Sequence, residues 1–238
     1  MSNFYNYRQQ TAAELQEKAR LSAAKAGKKG QHYQPIEPQP RSRQLCKSWW
    51  GNAWCDNLES YSDYENRLPR GKRYVRAGAV IDLQVGKGFV KAKVQGSRRK
   101  PYSVTIRIDP LKESVKKEIE ERCTFGIQSL EDLASGQFPE ELKDLFTQKN
   151  GLFPSPRDIH FDCSCPDWAS MCKHVAAVMY GIGLRLDENP FLFFELRDND
   201  PQNLVQKAID NKLESMLENA DRPSKRILSG KTEELFGL

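Results

Sequence analysis

The sequence has no apolar run that approaches the ~20 residues needed to cross a bilayer. Its N-terminus, residues 1–8, is polar and lacks the apolar core of a secretory signal peptide. Hydrophobic residues make up 38% of the 238 positions, which is enough for one large domain or two small ones. We therefore expect a cytoplasmic protein that has no membrane partner.

Cysteine is also sparse, with six residues, and its distribution argues against a disulfide framework. Such frameworks spread their cysteines evenly along much shorter secreted chains. Here three cysteines crowd into ten residues, at 163, 165 and 172, while Cys46, Cys55 and Cys123 are scattered. In a reducing compartment, clustered cysteines with a histidine nearby more often bind a metal ion.

Acidic residues are almost missing from one block of the chain. Residues 67–107 contain twelve Lys or Arg and a single acid, Asp82, and residues 1–45 contain eight basic residues against three acidic ones. The 67–107 block could attract the phosphates of a nucleic acid or an acidic protein. A solvated basic face explains the same composition, so both interpretations stay open.

Three runs of alternating polar and apolar residues, at 79–85, 89–95 and 102–108, predict an antiparallel β-meander. In the first run Ile81, Leu83 and Val85 are expected to face the core. The alternation places Lys91, Lys93 and Arg107 together on the outer face, with Arg98, Arg99 and Lys100 on the adjoining turn. A sheet with one apolar and one basic face can dock a phosphate backbone. These six residues are therefore the candidate nucleic-acid-binding residues.

Helices are predicted around the sheet. In the segment after Ser48, Trp50, Trp54 and Leu58 share one helical face. Clustered tryptophans can stack on bases, but they are more often core anchors. Other helices are predicted over 8–31, 110–122, 127–134, 139–147, 173–185 and 201–218.

The fold class is therefore α+β, an antiparallel meander with packed helices. The predicted divisions are a mobile basic N-terminal arm (1–44), an α+β domain with a basic sheet (45–148), a zinc finger (149–186), C-terminal helices (187–218) and a disordered tail (219–238).

One motif carries most of the functional information: Cys-x-Cys, six residues, then Cys-x-His, formed by Cys163, Cys165, Cys172 and His174. Three thiolates and one imidazole make a closed tetrahedral donor set, the composition of a structural zinc site. Residues two apart on an extended chain point to the same side, so Cys163 and Cys165 can reach one ion. In a helix, residues two apart diverge by about 200°. Cys172 should therefore precede the helix, with His174 in its first turn.

Cys163, Cys165, Cys172 and His174, with the apolar helix that follows, resemble the SWIM-type zinc finger. The stretch from Ser48-Trp49-Trp50 through the strands is similar to bacterial SWIM proteins, which are often found beside SWI2/SNF2-type helicases. The resemblance implies that the α+β fold also contains a small ββα zinc finger, a strand-strand-helix fold that binds DNA or protein. It also implies a partnership with a SNF2-family ATPase.

Three functions remain to be weighed. The first is a module that binds DNA or RNA through the basic sheet, as an accessory to an ATPase. The second is a protein–protein adaptor whose zinc finger is only structural. The third, an enzyme, is disfavoured because four protein ligands leave no open metal position for water, and no nucleotide-binding or hydrolase motif is present. We therefore expect one structural Zn²⁺, no catalytic residues and no small-molecule substrate.

Overall fold

The computed structural model describes residues 10–60, 66–126, 144, 146–148 and 151–200. It also describes residues 206, 209, 210, 213, 214, 216 and 217. The helices predicted over 127–134, 139–147 and 201–218, and the tail from 219, lie wholly or largely outside the described residues. Within those ranges, no helix has the length and hydropathy that a bilayer crossing requires.

Four strands form one antiparallel sheet in chain order: β1 (Val80–Gly86), β2 (Phe89–Val94), β3 (Tyr102–Ile108) and β4 (Ile159–Cys163). The inner face is apolar because the register sets Val90 opposite Ile106 and Ala92 opposite Val104. The α+β class and the antiparallel meander are confirmed. The fourth strand pairs with β3 after a long intervening segment.

A bulge interrupts the alternation at the start of β1. Val80 pairs with Val94, but the next paired residue, Asp82, is opposite Lys93, which leaves Ile81 as the extra residue. The bulge therefore breaks the predicted alternation of the first run. Ile81 is nevertheless buried as expected, at 1% exposure, and lines a small cavity with Ala19 and Ile36 of the N-terminal segment.

The N-terminal segment packs on the sheet. Helix α1 (Ala12–Gly27) starts with a capping box formed by Thr11 and Glu14. Leu15 is 1% exposed and Ile36 is 3% exposed. Beyond the helix, residues 34–36 follow the edge of β1, where the Ile36 amide donates to the Val80 carbonyl at 2.9 Å. Over residues 10–44, the prediction of a mobile arm is therefore wrong, since this segment covers an edge that would otherwise be unpaired.

Helix α5 (Lys173–Glu188) is the central helix of the fold. It lies on the inner face of the sheet and packs against α2 (Trp49–Glu59) and α3 (Leu68–Arg76). All its residues from His174 to Leu184 are buried. Gly71 of α3 permits the closest approach, because a Cβ there would lie 2.5 Å from the Cβ of Ala176. The helix predicted over 173–185 is confirmed and continues for three further residues.

The tryptophans of α2 are core residues, as predicted. Trp50 is 9% exposed and its indole nitrogen donates to the Leu186 carbonyl, while Trp54 is 2% exposed and donates to the Met179 carbonyl, both at 2.9 Å. An aromatic cluster that includes Phe193 of α6 (Leu192–Leu196) packs against Trp54. Both indole nitrogens are thus satisfied by backbone, which ties α2 to α5.

Helix α4 (Glu113–Gly126) begins three residues later than predicted. Leu111 still reaches the core and is 4% exposed, but it does so from the segment before the helix. One hydrophobic core extends over the described residues from Leu15 to Leu196. The strand and helix of the predicted finger therefore belong to the same packed unit as the preceding sheet.

Candidate metal centre

The four candidate ligands come from the end of β4 and the start of α5. Pairing with β3 continues past Cys163, because the Ser164 amide donates to the Ser103 carbonyl at 3.0 Å. This extended backbone places Cys163 and Cys165 on the same side of the chain. Cys172 is the N-cap of α5, with φ −80° and ψ 170°, and His174 is the second helical residue. The predicted arrangement, with Cys172 before the helix and His174 in its first turn, is confirmed.

The donor atoms of the four residues converge. The sulfurs of Cys163, Cys165 and Cys172 and a ring nitrogen of His174 all lie within 4.8 Å of one another. The Nδ1 atom of His174 is 3.7 Å from the Cys172 sulfur and 4.0 Å from the Cys163 sulfur. At usual zinc–ligand lengths, a tetrahedral site separates sulfur from nitrogen by about 3.6 Å. These four residues could therefore hold a metal ion, and within the described part of the chain they form the one such group.

Two tyrosine rings hold the imidazole of His174. Tyr102 packs on one side, with ring centroids 4.3 Å apart and planes 31° from parallel, and Tyr74 meets the ring edge-on at 5.5 Å. A cation lies over each tyrosine: Arg98 over Tyr102 and Lys173 over Tyr74, both 5.9 Å from the ring centroid. Aromatic packing therefore orients the ring so that Nδ1 faces the sulfurs.

The other ring nitrogen of His174, Nε2, is buried and has no hydrogen-bond partner among the described residues. It faces Gly96, where a Cβ would lie only 3.0 Å away. Nδ1 is thus the donor atom available to a metal, and a metal there would leave the ring proton on Nε2. The absence of a side chain at residue 96 is what makes room for this imidazole.

The thiols influence one another's ionisation. The pKa of Cys172 is lowered chiefly because the Cys163 thiol donates a hydrogen bond to its thiolate. Burial acts in the opposite direction, and a hydrogen bond from His174 lowers the pKa further. The pKa of Cys163 is raised by the same bond and by burial, and burial raises the pKa of Cys165. A metal ion would have to displace the protons of Cys163 and Cys165. Its affinity should therefore fall as the solution becomes more acidic.

The loop between Cys165 and Cys172 is tied to the rest of the fold. Arg67, at the start of α3, forms an ion pair with Asp167 at 3.3 Å, and Asp167 also accepts a hydrogen bond from the Ala169 amide at 3.3 Å. Met171 is 1% exposed, whereas Trp168 is 94% exposed. Sequence reasoning missed this exposed tryptophan. The sequence feature that could have indicated its exposure is the position of a large aromatic residue in a loop of only six residues, which is too short to form a core of its own.

A second pair of cysteines and one further histidine lie apart from these four candidate ligands. Cys46 and Cys55 are buried with their sulfurs 3.7 Å apart, and no third ligand joins them among the described residues. His160 lies on the outer face of β4, where its Nε2 is 3.0 Å from an Asp109 oxygen. The single cluster at Cys163, Cys165, Cys172 and His174 is therefore the candidate metal centre of the described residues.

The six candidate nucleic-acid-binding residues lie where the strand pattern predicts. Lys91 is opposite Thr105, Lys93 is opposite Ser103 and Arg107 is opposite Phe89, so the three cations share the outer face of β2 and β3. Arg98, Arg99 and Lys100 are exposed on the β2–β3 turn. Acids occupy the two outer strands of this face, with Asp82 on β1 and Asp162 on β4. Their role in binding stays a prediction.

No family model and no solved structure matches the chain. The chain is similar to the uncharacterized protein Rv2102 of Mycobacterium tuberculosis, with 36% identity over 177 residues. The aligned region covers 72% of this chain and 64% of that protein, so the chain spans less than two thirds of its relative. Because the relative is itself uncharacterized, the similarity brings no activity with it.

Proposed function

We propose that this protein is a zinc-stabilised binding module whose outer sheet face docks a nucleic acid. The observation that carries the proposal is the convergence of Cys163, Cys165, Cys172 and His174 between β4 and α5. Strand β4 belongs to the sheet that displays Lys91, Lys93 and Arg107, and α5 packs on the inner face of that sheet. A metal ion at this position would brace the edge of the sheet against the central helix.

Zinc is the metal that the donor set favours. Three sulfurs and one imidazole nitrogen are borderline-to-soft ligands, and tetrahedral sites of this composition are typical of structural Zn²⁺. Four protein ligands fill the coordination sphere and leave no position for a reactive water. The proposed role is therefore binding rather than catalysis.

Charge supports nucleic acid as the ligand of the outer face. Lys91 and Arg107 are exposed on the two central strands, and the Lys93 ammonium extends over β3 to donate to the Ser103 hydroxyl at 2.7 Å. The acids of this face lie on its flanking strands, so the central strip is cationic. A phosphate backbone that follows β2 and β3 would meet the cations first.

The proposed protein partner is a SNF2-family ATPase, which rests on the resemblance of the cysteine–histidine motif to SWIM-type fingers. In that arrangement the module would bring the ATPase to its nucleic-acid substrate. Co-purification from native cells, with and without nuclease, tests this partnership separately from nucleic-acid binding. A purely adaptor role predicts recovery of the ATPase with nuclease present and no affinity for nucleic acid.

Salt-dependent binding tests the role of the outer face. Each phosphate contact contributes about −0.9 to the slope of log affinity against log salt for duplex DNA. The combined change Lys91→Gln, Lys93→Gln and Arg107→Gln should therefore make the slope shallower by up to about 2.7.

A matched control removes the same charge from the end of α1, through Lys25→Gln, Lys28→Gln and Lys29→Gln. These three lysines are exposed and lie outside the sheet. Equal slopes for the two triple variants would exclude the outer face as the binding surface. Undetectable binding at ~50 mM salt would exclude nucleic-acid binding altogether.

A further inference from the structure

Trp168 differs from the other tryptophans of the chain. It is 94% exposed, whereas Trp50 and Trp54 are buried and Trp49 is partly buried against the core. A single exposed aromatic residue is not unusual on a protein surface. Its surroundings must therefore show whether it is placed to receive a ligand.

The loop that carries Trp168 is held at several points. Cys165 and Cys172 belong to the metal cluster at its two ends, and the Arg67–Asp167 ion pair fixes the residue just before Trp168. Met171, just before Cys172, is buried. An aromatic ring on a loop fixed in this way loses little conformational freedom when a ligand binds, which favours affinity.

The surface around this loop is cationic. Arg70 is exposed and lies one turn of α3 beyond Arg67, on the same side of the helix. Lys173 directly follows Cys172 and lies over the ring of Tyr74. The one acid of the loop, Asp167, is already paired with Arg67. An anionic ligand that has planar apolar groups would complement both the charges and the ring.

We propose that Trp168 is a stacking platform for an unpaired base of a single-stranded nucleic acid, with Arg70 and Lys173 contacting the adjacent phosphates. This inference rests on the proposed nucleic-acid binding and specifies its ligand. A base within a duplex has no free face for an external ring, whereas every unpaired base offers one. The outer sheet face and the metal-bound loop would then bind different parts of one strand.

Fluorescence of the full-length protein provides a direct test. Trp168 is the tryptophan most exposed to solvent, so stacking of a base on its ring should quench the emission that comes from the surface. The probes are a 12-nucleotide mixed-sequence DNA strand and its duplex, at ~50 mM salt. We expect quenching by the single strand, and the quenching should disappear in Trp168→Ala.

Affinity measurements quantify the contribution of the ring. Trp168→Ala should weaken binding of the single strand by between about fivefold and about 150-fold, which is the usual range for one stacked base. Trp168→Tyr should recover most of this loss, and affinity for the duplex should change little. Leu21→Ala is the control, because Leu21 is an exposed apolar residue on α1, at 54% exposure, and lies outside the proposed binding surface.

The outcomes separate this inference from the proposed function. If the charge variants of the outer face weaken binding but Trp168→Ala does not, the stacking platform is excluded and the proposed function stands. Equal losses for strand and duplex would also exclude stacking. If neither probe binds the wild-type protein, both proposals fail. Capture of an acidic protein that depends on Trp168, without binding of either probe, would identify the loop as a protein-docking site instead.

Discussion

The substitution Gly96→Ala tests how tightly the fold confines His174, the candidate metal-ligating histidine. A Cβ at this position would lie 2.6 Å from Cε2 of Tyr102 and 3.0 Å from Nε2 of His174. Ordinary contacts begin near 3.4 Å, so the tyrosine ring would have to retreat by about 0.8 Å. Overpacking of this kind typically costs about 1–3 kcal/mol. If the stacked imidazole bears that strain, zinc affinity should fall between about fivefold and about 150-fold.

Competition with a fluorescent zinc chelator, well below the melting temperature, measures that affinity. Gly51→Ala is the control, because its Cβ would lie 2.9 Å from the Cys46 Cβ and 3.0 Å from the Gly183 carbonyl oxygen. This second clash lies near the other end of α5. It should lower the melting temperature and leave zinc affinity unchanged. Wild-type affinity in Gly96→Ala, or an equal loss in both variants, would refute the proposed confinement of His174.

Two further predictions concern stability. Gly71→Ala should lower the free energy of unfolding by about 3 kcal/mol, because its Cβ would clash with the backbone of α5. Gly27→Ala is the control, since a Cβ there has no atom within 4 Å and should leave the free energy of unfolding unchanged or slightly higher. Urea denaturation measures both values. Burial raises the pKa of Glu59, but hydrogen bonds from Lys72 and Tyr180 outweigh it, so the net pKa is lowered. The stabilising effect of this carboxylate is therefore present at neutral pH and lost as pH falls through its folded pKa. Glu59→Gln should be less stable than wild type at pH 7, and the difference should shrink as the pH is lowered through the folded pKa of Glu59; a difference that widens on acidification would contradict the sign of this shift.

Local patterns in the sequence were sufficient for much of the fold. The alternation of polar and apolar residues correctly predicted β2 and β3, because one face of each strand is buried and the other faces solvent. The spacing of Cys172 and His174 predicted where α5 starts, because residues two positions apart in a regular helix could not reach one ion. The tryptophans of α2 were assigned to the core because three large aromatic residues so close together rarely all remain exposed.

Features that depend on distant parts of the chain could not be predicted in this way. The first 44 residues were predicted to form a mobile arm, yet Leu15 is buried and the segment around Ile36 is hydrogen-bonded to the edge of β1. Ile81, the extra residue of the bulge, also lies against this segment. Pairing of β4 with β3 joins residues separated by a long segment, so the predicted finger and sheet could not be recognised as one unit.

The candidate metal centre was likewise only partly predictable from the sequence. Its four candidate ligands follow from their spacing alone, because the chemistry requires those residue types close together. Of the two tyrosines that pack on His174, Tyr74 comes from α3 and Tyr102 is the first residue of β3, while Gly96 lies in the β2–β3 turn. Nothing in the local sequence of the motif indicates these neighbours. The exposed position of Trp168 also became evident only once the loop was placed beside Arg67.

Zinc stoichiometry of the purified, untagged chain is the most direct test of the central claim. Elemental analysis should find one zinc per chain in the wild-type protein and in Cys55→Ser, whose buried cysteine lies outside the cluster. Cys172→Ser should lose that zinc. Wild-type protein without stoichiometric zinc, or full retention of zinc in Cys172→Ser, would contradict the account.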